Sequence, residues 1–356
     1  MRLQQIVTYY DVYLGTFHRA APDVAALPYD RQLDRLLADG FSAGHVLAPY
    51  FRPLGFETEF VVANWVSGQG QWARERGIEP PADPEAAMRL CVERVDRFRP
   101  DILLISDPIG LDARFLRSLA HRPRLVMAWR QASIPDGTDW RGFDILLSGD
   151  DGCLRRAQEL GARRTVRFRP GFPRWIAEML ADEPRRNDVV FCGQISREHR
   201  ERANGLARVA EAAERSGAGF GTDFHLLGDA EGILARHNRG ALWGMAMYRA
   251  IRHGRIGLNV HIDITGRAMN IRMQETTGLG TMLLTEADPS LGEQFVPGRE
   301  VETYASAGEL TEKIRYFLDH PDKREAIARR GQERCLRDWS MESRVTELAD
   351  LIRGAI

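Results

Sequence analysis

The sequence predicts an α/β protein made of two doubly wound domains. Short apolar runs alternate with longer segments of helical periodicity, and this alternation starts again near residue 188. Strands that alternate with helices are typical of parallel sheets covered by helices on both faces. The chain has 356 residues, 44% of them hydrophobic, which is enough for two domains with separate cores.

The first domain is predicted from apolar runs that precede residue 150. In chain order they are LQQIVTYY, FETEFVVAN, DILLIS, RLVMAW and FDILLSG. Between them, DRQLDRLLADGF and AAMRLCVERVDRF carry apolar residues at three- and four-residue spacing, which favours helices. We place this N-terminal domain at residues 1–170, and the arginine- and proline-rich runs RFRPGFPRW and DEPRRN form the connection to the next domain.

The second domain is predicted from a new set of strands. These are DVVFCG, DFHLLGD, RIGLNVHID and TMLLTE, with a long helical segment after the first of them. The later segments GELTEKIRYFLDH and PDKREAIARRGQERCLRDW also have helical spacing. We place the C-terminal domain at residues 171–336, and we expect a helix at 337–356 to return to the first domain.

Composition excludes several classes of protein. A formal net charge of -1 gives no field that would attract nucleic acid, and no apolar run has the length of a membrane span. The four cysteines are widely spaced and form no CxxC pair, so neither a zinc cluster nor a disulfide framework is indicated. A cytoplasmic protein with no nucleic-acid partner and no membrane span is therefore expected.

Loops after the second-domain strands offer candidate ligand contacts, because open parallel sheets bind ligands at the carboxyl ends of their strands. In DVVFCGQISREHR, Gly193 lets the backbone approach a ligand, and Arg197 in the first turn of a helix capped by Ser196 suits a phosphate. An ordinary strand–turn–helix explains the same pattern. In RIGLNVHID, His261 and Asp263 alone are too few ligands to predict a metal.

The stretch NIRMQETTGLGTMLLTE raises a sharper question. Asn270 is positioned to cap a short helix, with Arg272 in its first turn and Glu275 three residues later. One interpretation is an i, i+3 salt bridge. The other gives the guanidinium to a diphosphate and the carboxylate to ribose hydroxyls, with Gly278 and Gly280 packing closely beneath a nucleotide. The sequence leaves both open.

Longer segments resemble a known family. GMAMYRAIRHGRIGLNVHID, RAMNIRMQETTGLGTMLLTE, LGEQFVPGREVETY and REAIARRGQERCLRDWSMESRV are similar to the C-terminal half of spore-coat-maturation-type glycosyltransferases of the GT-B superfamily. The resemblance is continuous from about Trp243 to Arg344 and extends more weakly to FETEFVVANWVSGQGQWARERG. It implies two Rossmann-like domains with an interdomain cleft and a nucleotide-sugar donor.

The resemblance also implies roles for individual residues. Glu275 matches the acid that holds the donor ribose, within an Arg-x-x-Glu motif, and Glu300 falls in a Gly-x-Glu-Val segment. Independently of the resemblance, Tyr248 is expected to help wall the donor site. The donor-binding residues expected are Gly193, Arg197, Tyr248, Asn259, His261, Asn270, Arg272, Glu275 and Gly278. Arg267 stands where many retaining relatives have a second glutamate, so a retaining mechanism is not implied.

Sugar transfer breaks a glycosyl–phosphate bond, so the departing diphosphate must be neutralised and the acceptor hydroxyl aligned. Without a metal or cofactor, side chains and helix ends must do this, and Arg197 and Arg272 are the candidates. Asp11 and His18 in YYDVYLGTFHR are candidate general bases for an inverting reaction, although a capped turn or a surface contact explains either residue.

Aromatic and amide side chains near the end of a first-domain strand suggest acceptor binding. Trp65, Gln69 and Trp72 in NWVSGQGQWARERG suit contacts to a sugar, but partly buried packing is the alternative. The acidic segment SGDDG at residues 148–152 is better explained as an aspartate turn that caps the next helix than as a metal site.

Transfer of a sugar from a nucleotide-sugar donor to an unidentified acceptor, whether glycan, protein or small molecule, is the leading function. A nucleotide-sugar epimerase or phosphorylase on the same fold is one alternative, since fold does not fix reaction. A non-catalytic module that binds a nucleotide or a sugar is another.

Overall fold

The computed structural model describes residues 1–196, 200–215, 219–260 and 270–356. It divides into two compact units, and each unit is a parallel sheet with flanking helices. Unit 1 comprises Met1–Arg169 and Arg344–Ile356, and unit 2 comprises Pro170–Ser343.

The sheet of unit 1 has the strand order β2-β1-β3-β4-β5-β6. Its strands are β1 (Arg2–Val7), β2 (Glu57–Val62), β3 (Ile102–Ile105), β4 (Leu125–Trp129), β5 (Ile145–Ser148) and β6 (Thr165–Arg167). β1 is central enough to pair on both sides, with Ile6 opposite Val61 of β2 and Ile105 of β3. Because the chain adds β2 on one side of β1 and β3 on the other, the winding direction changes between β1 and β3.

Helices cover both faces of this sheet. They are α1 (Asp11–Ala20), α2 (Tyr29–Ala38), α3 (Ala48–Phe51), α4 (Val66–Arg74), α5 (Pro84–Phe98), α6 (Ala113–Ser118) and α7 (Asp151–Glu159), with short 3₁₀ turns at Pro22–Ala26, Ala43–His45 and Arg52–Leu54. The predicted helix-capping turn at residues 148–152 is confirmed, since the Asp150 carboxylate accepts a 2.7 Å hydrogen bond from the Cys153 backbone N–H.

The sheet of unit 2 has the order β11-β10-β9-β7-β8. Its strands are β7 (Asn187–Gln194), β8 (Thr222–Leu227), β9 (Gly254–Asn259), β10 (Met282–Glu286) and β11 (Glu302–Tyr304). Its helices are α8 (Arg174–Met179), α9 (Arg200–Glu214), α10 (Gly232–His237), α11 (Gly244–His253), α12 (Arg272–Gly278), α13 (Ala307–Asp319), α14 (Pro321–Asp338) and the start of α15 (Met341–Arg353), with a 3₁₀ turn at Pro289–Glu293. Here the winding direction changes between β7 and β9.

Each sheet carries its own hydrophobic core, as near-continuous apolar strands covered on both faces should. The core of unit 1 includes Ile6, Val61, Ile105, Ala128 and Leu146, and that of unit 2 includes Val189, Phe224, Ile256, Leu258 and Leu284. No described helix is both long and apolar enough to cross a membrane.

The chain enters and leaves unit 2 through segments that pair with one another. The Phe172 N–H donates to the Trp339 carbonyl at 2.8 Å, and the Met341 N–H donates to the Phe172 carbonyl at 3.1 Å. Gly171 permits this approach, because a Cβ there would lie 2.5 Å from the Ser340 backbone. In unit 1, the Arg344 guanidinium donates to the Arg169 carbonyl at 2.9 Å.

The sequence predicted two parallel α/β sheets, and the structure confirms them. Every apolar run named as a strand contains one. The strands not anticipated are β6 and β11, which have three residues each and lie at sheet edges. Short, partly charged edge strands resist unwanted pairing and carry little of the apolar signal on which prediction depends.

Candidate functional site

The candidate site of unit 2 lies near the carboxyl ends of β7 and β9, where the winding direction changes. In open parallel sheets this switch point is where ligands bind. Arg272 begins α12, and its charge opposes the effect of burial on Cys192 of β7, where burial raises the pKa of the thiol to about 12. Arg272 begins the helix that connects β9 to β10, so it lies towards the carboxyl end of the sheet.

Arg272 and Glu275 form the predicted i, i+3 salt bridge, with Nη1 2.6 Å from Oε2. The carboxylate is the deeper group, since its side chain is 7% exposed and that of Arg272 is 19% exposed. Burial is the largest single influence on the pKa of Arg272 and lowers it, but Glu275, Cys192 and Tyr248 together outweigh burial and the pKa is raised. The guanidinium therefore stays charged and retains an exposed side.

Tyr248 and Met247 of α11 complete this cluster. The Tyr248 hydroxyl donates to Glu275 Oε1 at 3.2 Å from a fully buried ring that packs edge-on against Phe172. Arg272 Nη1 also lies 3.1 Å from the Met247 sulfur. A thioether is a weak acceptor, so it holds the guanidinium less firmly than an oxygen would.

Two buried oxygens in this region receive no hydrogen bond of good geometry from any described residue. They are Glu275 Oε2, which touches Arg272 only as an ion pair, and Asn270 Oδ1. Buried acceptors are normally satisfied, so both oxygens can accept a donor beyond the described contacts, and Glu275 Oε2 already has the charge of Arg272 2.6 Å away. The prediction that the Asn270 side chain caps α12 is wrong, because the cap position is Ile271 and it has no side-chain hydrogen bond.

The other donor-site candidates in the described part of unit 2 have internal contacts. Asn259 is buried and its amide donates to the Thr285 hydroxyl of β10 at 3.0 Å. A Cβ at Gly278 would lie 2.2 Å from the Phe172 ring, so this glycine permits close packing against Phe172. A Cβ at Gly193 would lie 2.8 Å from the Phe191 ring. Their ligand roles stay predictions.

Two further candidates, Arg197 and His261, lie outside the described residues, as does Arg267. Glu300 accepts a hydrogen bond from the Val296 backbone N–H at 2.8 Å, which fixes the turn before β11. In the described ranges, no group of three or more His, Cys, Asp or Glu side chains is arranged to hold a metal ion.

In unit 1, both candidate bases bond to the segment that follows β2. The Asn64 amide donates to Asp11 Oδ1 at 2.9 Å and to the Tyr9 carbonyl at 2.7 Å. Its oxygen accepts from the Tyr9 backbone N–H at 3.0 Å. His18 Nε2 lies 2.8 Å from the Trp65 indole Nε1 and 2.7 Å from the Ser67 hydroxyl. An indole N–H can only donate, so Nε2 is the unprotonated nitrogen of His18.

Burial lowers the pKa of His18, which weakens it as a base. Its basic nitrogen is also occupied by Trp65, whereas Asp11 is exposed. Of the two candidates, the carboxylate of Asp11 is therefore better placed to accept a proton from a ligand.

The candidate acceptor residues Gln69 and Trp72 surround a buried arginine. Arg94 Nη1 donates to Gln69 Oε1 at 3.2 Å, and its guanidinium lies 4.6 Å from the centre of the Trp72 ring. Trp65 is 2% exposed and Trp72 is 4% exposed. The packing interpretation of this segment therefore has direct geometric support, and contact with an acceptor stays a prediction.

Sequence reasoning did not find Arg202 of α9, which is 8% exposed. Its guanidinium bonds the backbone at the carboxyl ends of β7 and β9. An arginine in an amphipathic helix usually faces solvent, so only its position soon after a strand end could have drawn attention to it.

Solved structures share this architecture over nearly the whole chain. A glycosyltransferase from Rickettsia africae aligns with a TM-score of 0.58 at 11% identity, covering 99% of this chain and 98% of that one. The Anabaena protein HepE in complex with UDP and glucose aligns with a TM-score of 0.57 at 12% identity, covering 99% and 100%. The chain has the GT-B fold.

A third GT-B structure, sucrose-phosphate synthase from Thermosynechococcus elongatus, aligns with a TM-score of 0.56 at 10% identity and covers 99% of each chain. Residues 195–350 match the model of a family described as glycosyl transferase-like. A comparison with curated protein sequences finds no match. The matched segment begins at the end of β7 and includes the Arg272–Glu275 pair.

Proposed function

We propose that this protein is a glycosyltransferase that moves a sugar from a nucleotide-sugar donor to an acceptor. The observation that carries the proposal is the Arg272–Glu275–Tyr248 cluster, a buried carboxylate that is ion-paired with a partly exposed cation and bonded by a buried tyrosine hydroxyl. The match of residues 195–350 to a glycosyl transferase-like model supports it. The UDP and glucose bound to HepE make a uridine diphosphate sugar the first donor to test.

In the proposed complex, Glu275 accepts hydrogen bonds from the ribose hydroxyls and Arg272 meets the diphosphate. Tyr248 bonds the other carboxylate oxygen, so it fixes the orientation of Glu275. Gly193, Arg197, Asn259, His261, Asn270 and Gly278 are proposed to complete the donor site. The finer likeness to spore-coat-maturation-type enzymes belongs to this proposal.

The reaction breaks the bond between the anomeric carbon and the diphosphate oxygen and forms a bond from that carbon to an acceptor oxygen. The leaving diphosphate takes the electron pair, and a cation next to it stabilises the charge that develops. We assign this role to Arg272, with Arg197 as a second cation. In an inverting reaction, Asp11 would take the proton of the acceptor hydroxyl.

We propose that no metal ion is needed, because side-chain cations supply the charge. The acceptor would lie on unit 1, where Trp65, Gln69 and Trp72 remain the candidates from sequence. An assay of purified protein treated with a chelator tests the metal: turnover lost and then recovered only with a divalent cation contradicts this part of the proposal.

The decisive experiment measures ligand binding by Glu275→Gln and Arg272→Ala variants. A site built to bond hydroxyls loses about 1–3 kcal/mol when one partner is changed, which is about tenfold to more than a hundredfold in affinity. Glu275→Gln should weaken binding of both uridine and UDP in calorimetry. Arg272→Ala should weaken the binding of UDP and leave the binding of uridine little changed. It should also lower turnover at saturating donor.

Arg249→Ala is the matched control. Arg249 lies on the same helix as Tyr248 and forms a surface ion pair with Glu183 at 3.1 Å. This variant should bind uridine and UDP like the parent. If Glu275→Gln and Arg272→Ala also do so, and lose only thermal stability, the cluster is scaffold and the proposal is wrong.

Incubation with donor separates the alternative reactions. Conversion of the sugar with donor alone indicates an epimerase, and release of a sugar phosphate that depends on free phosphate indicates a phosphorylase. Binding of UDP with no turnover across a broad set of acceptors indicates a binding module.

A further inference from the structure

Arg202 spans the switch point of unit 2 with one buried guanidinium. Nε and Nη2 donate to the Val260 carbonyl at 3.1 and 2.8 Å, and Nη1 donates to the Gln194 carbonyl at 2.8 Å. Gln194 is the last residue of β7, and Val260 directly follows β9. Three hydrogen bonds from one side chain therefore connect the carboxyl ends of two strands.

Arg202 connects β7 and β9 at a point where the two strands are no longer paired with each other. The ladder between β7 and β9 runs from Asn187 and Gly254 to Val190 and Gly257. Beyond it, β7 continues to pair with β8 as far as Gln194 and Leu227. The carboxyl end of β7 thus stays paired with β8 after its pairing with β9 has ended. The Arg202 guanidinium lies between β7 and β9 in this unpaired region.

A second contact fixes the same end of β7 from the other side. Gly228, which follows β8, has a φ of +109°, and a Cβ there would lie 2.2 Å from the Ile195 carbonyl oxygen. The Ile195 N–H also donates to the Leu227 carbonyl at 2.8 Å. The backbone just after β7 is therefore held from both the β8 side and the β9 side.

Arginine suits this position because its planar fork can bond two separate carbonyls while it remains charged. Lysine would keep the charge, but it carries its donors on a single nitrogen. The guanidinium of Arg202 also lies 5.8 Å from the centre of the Phe191 ring in β7, which limits its movement.

We infer that Arg202 is a positioning residue that sets the separation of the β7 and β9 ends, and with it the part of the donor site that receives the diphosphate. The inference rests on the proposed function, since it assumes that a nucleotide binds at this switch point. Glu275, the proposed nucleoside contact, and Tyr248, which orients it, lie on α12 and α11, whereas the hydrogen bonds described for Arg202 go to Gln194 and Val260 at the strand ends. Loss of Arg202 should therefore affect UDP more than uridine.

The test is calorimetry of uridine and UDP with the full chain carrying Arg202→Met or Arg202→Lys. Arg208→Met is the matched control, because Arg208 lies on the same helix with a 64% exposed side chain and bonds only to nearby Glu211 among the described contacts. Thermal melts first show which variants are folded at the temperature of the titration. If Arg202→Met is not folded, Arg202→Lys carries the test.

We expect Arg202→Met to weaken the affinity for UDP about tenfold or more, because misplaced phosphate contacts bind the diphosphate less tightly. The affinity for uridine should change less than about twofold. Arg202→Lys should lie between Arg202→Met and the parent, and Arg208→Met should match the parent. Equal loss of both ligands, or parental affinity for both, overturns the inference and leaves the proposed function standing. A parent protein that binds no nucleotide overturns both.

Discussion

Each unit contains a buried cluster of the same three side-chain types, but the more deeply buried charge is a cation in unit 1 and a carboxylate in unit 2. In unit 1, Arg94 bonds the Tyr29 hydroxyl at 2.8 Å and pairs with Glu59. In unit 2, Arg272 pairs with Glu275, which is bonded by the Tyr248 hydroxyl. Each cluster therefore consists of arginine, glutamate and tyrosine.

The clusters differ in which charge is deeper. The Arg94 side chain is 0% exposed and Glu59 is 21% exposed, whereas Arg272 is 19% exposed and Glu275 is 7% exposed. Arg94 is also covered by two aromatic rings, those of Tyr29 and Trp72, at 4.8 and 4.6 Å. The cation of unit 1 is thus enclosed, while that of unit 2 has an open side and a weak thioether contact.

Side-chain composition alone therefore does not distinguish an enclosed arginine from a partly exposed one. A fully enclosed arginine cannot meet an anion without unfolding its surroundings, but a partly exposed arginine over a buried carboxylate can. We therefore expect substitutions in the unit 1 cluster to change stability, and those in the unit 2 cluster to change nucleotide binding.

The largest expected effect is from Arg94→Met. Removing one partner of a buried ion pair leaves a charge without compensation, and we expect a loss of about 3 kcal/mol in the free energy of unfolding. Urea unfolding measures this loss. Arg97→Met on the same helix is the control and should change the free energy of unfolding by about zero, because the Arg97 side chain is 52% exposed. A tenfold loss of UDP affinity in folded Arg94→Met would contradict the assignment of this cluster to scaffold.

The next effect concerns stabilisation by ligand. At a concentration one hundred times the parent dissociation constant, UDP should stabilise the parent by about 2.7 kcal/mol. Glu275→Gln should lose about 1–2 kcal/mol of this increment because its affinity is lower. Glu59→Gln should keep the full increment, and loss of the increment in Glu59→Gln would remove the distinction between the clusters.

Acid should destabilise unit 1 through histidine. Burial lowers the pKa of His45 to about 4 and also lowers that of His18. Below the unfolded value near 6.5 the unfolded chain binds protons that the folded unit does not, so stability falls as the pH drops from 6.5 towards 4. At pH 5 we expect His45 to cost about 1–2 kcal/mol relative to pH 7.5.

Hydrogen exchange read by peptide at both pH values measures this change separately in each unit. His45→Gln should reduce the acid effect, because glutamine can still bond the Ser42 hydroxyl, which lies 3.3 Å from the His45 ring. Equal acid sensitivity in His45→Gln and the parent would assign the effect to other groups.

The smallest effects come from the tyrosine hydroxyls. Tyr29→Phe and Tyr248→Phe each remove one hydrogen bond, worth about 0.5–1.5 kcal/mol. Tyr29→Phe should lower only the free energy of unfolding, whereas Tyr248→Phe should also weaken UDP a few-fold, because the Glu275 carboxylate is less well oriented. Paired urea and calorimetry measurements on both variants decide this point, and identical behaviour would count against it.

The fold could be predicted from the sequence because parallel strands covered on both faces are continuously apolar. The alternation of these apolar runs with helical segments can be seen within short stretches of the chain. The i, i+3 pair of Arg272 and Glu275 was predictable for the same reason. The surroundings of Gln69 and Trp72 were not, because Arg94 belongs to the helical segment CVERVDRF, and the local pattern of charged residues in that segment does not reveal which of them tertiary packing buries.

The capping of α12 shows a second limit. Asparagine before a helix is a good cap only when the backbone turns its side chain towards the first N–H groups. In the structure Ile271 occupies the cap position, and Asn270 Oδ1 is left without a donor among the described residues. Arg202 was missed because the hydrogen bonds described for it go to backbone carbonyls, which leave no pattern of residue types.

The paired segments at Phe172 and Ser340 have a consequence for how the chain can be cut and rejoined. Since unit 1 resumes at Arg344, unit 2 is an inserted domain whose two ends are held together by backbone hydrogen bonds. Adjacent ends make excision and circular permutation inexpensive in loop-closure entropy. A short linker from Arg169 to Arg344 would therefore restore a continuous unit 1.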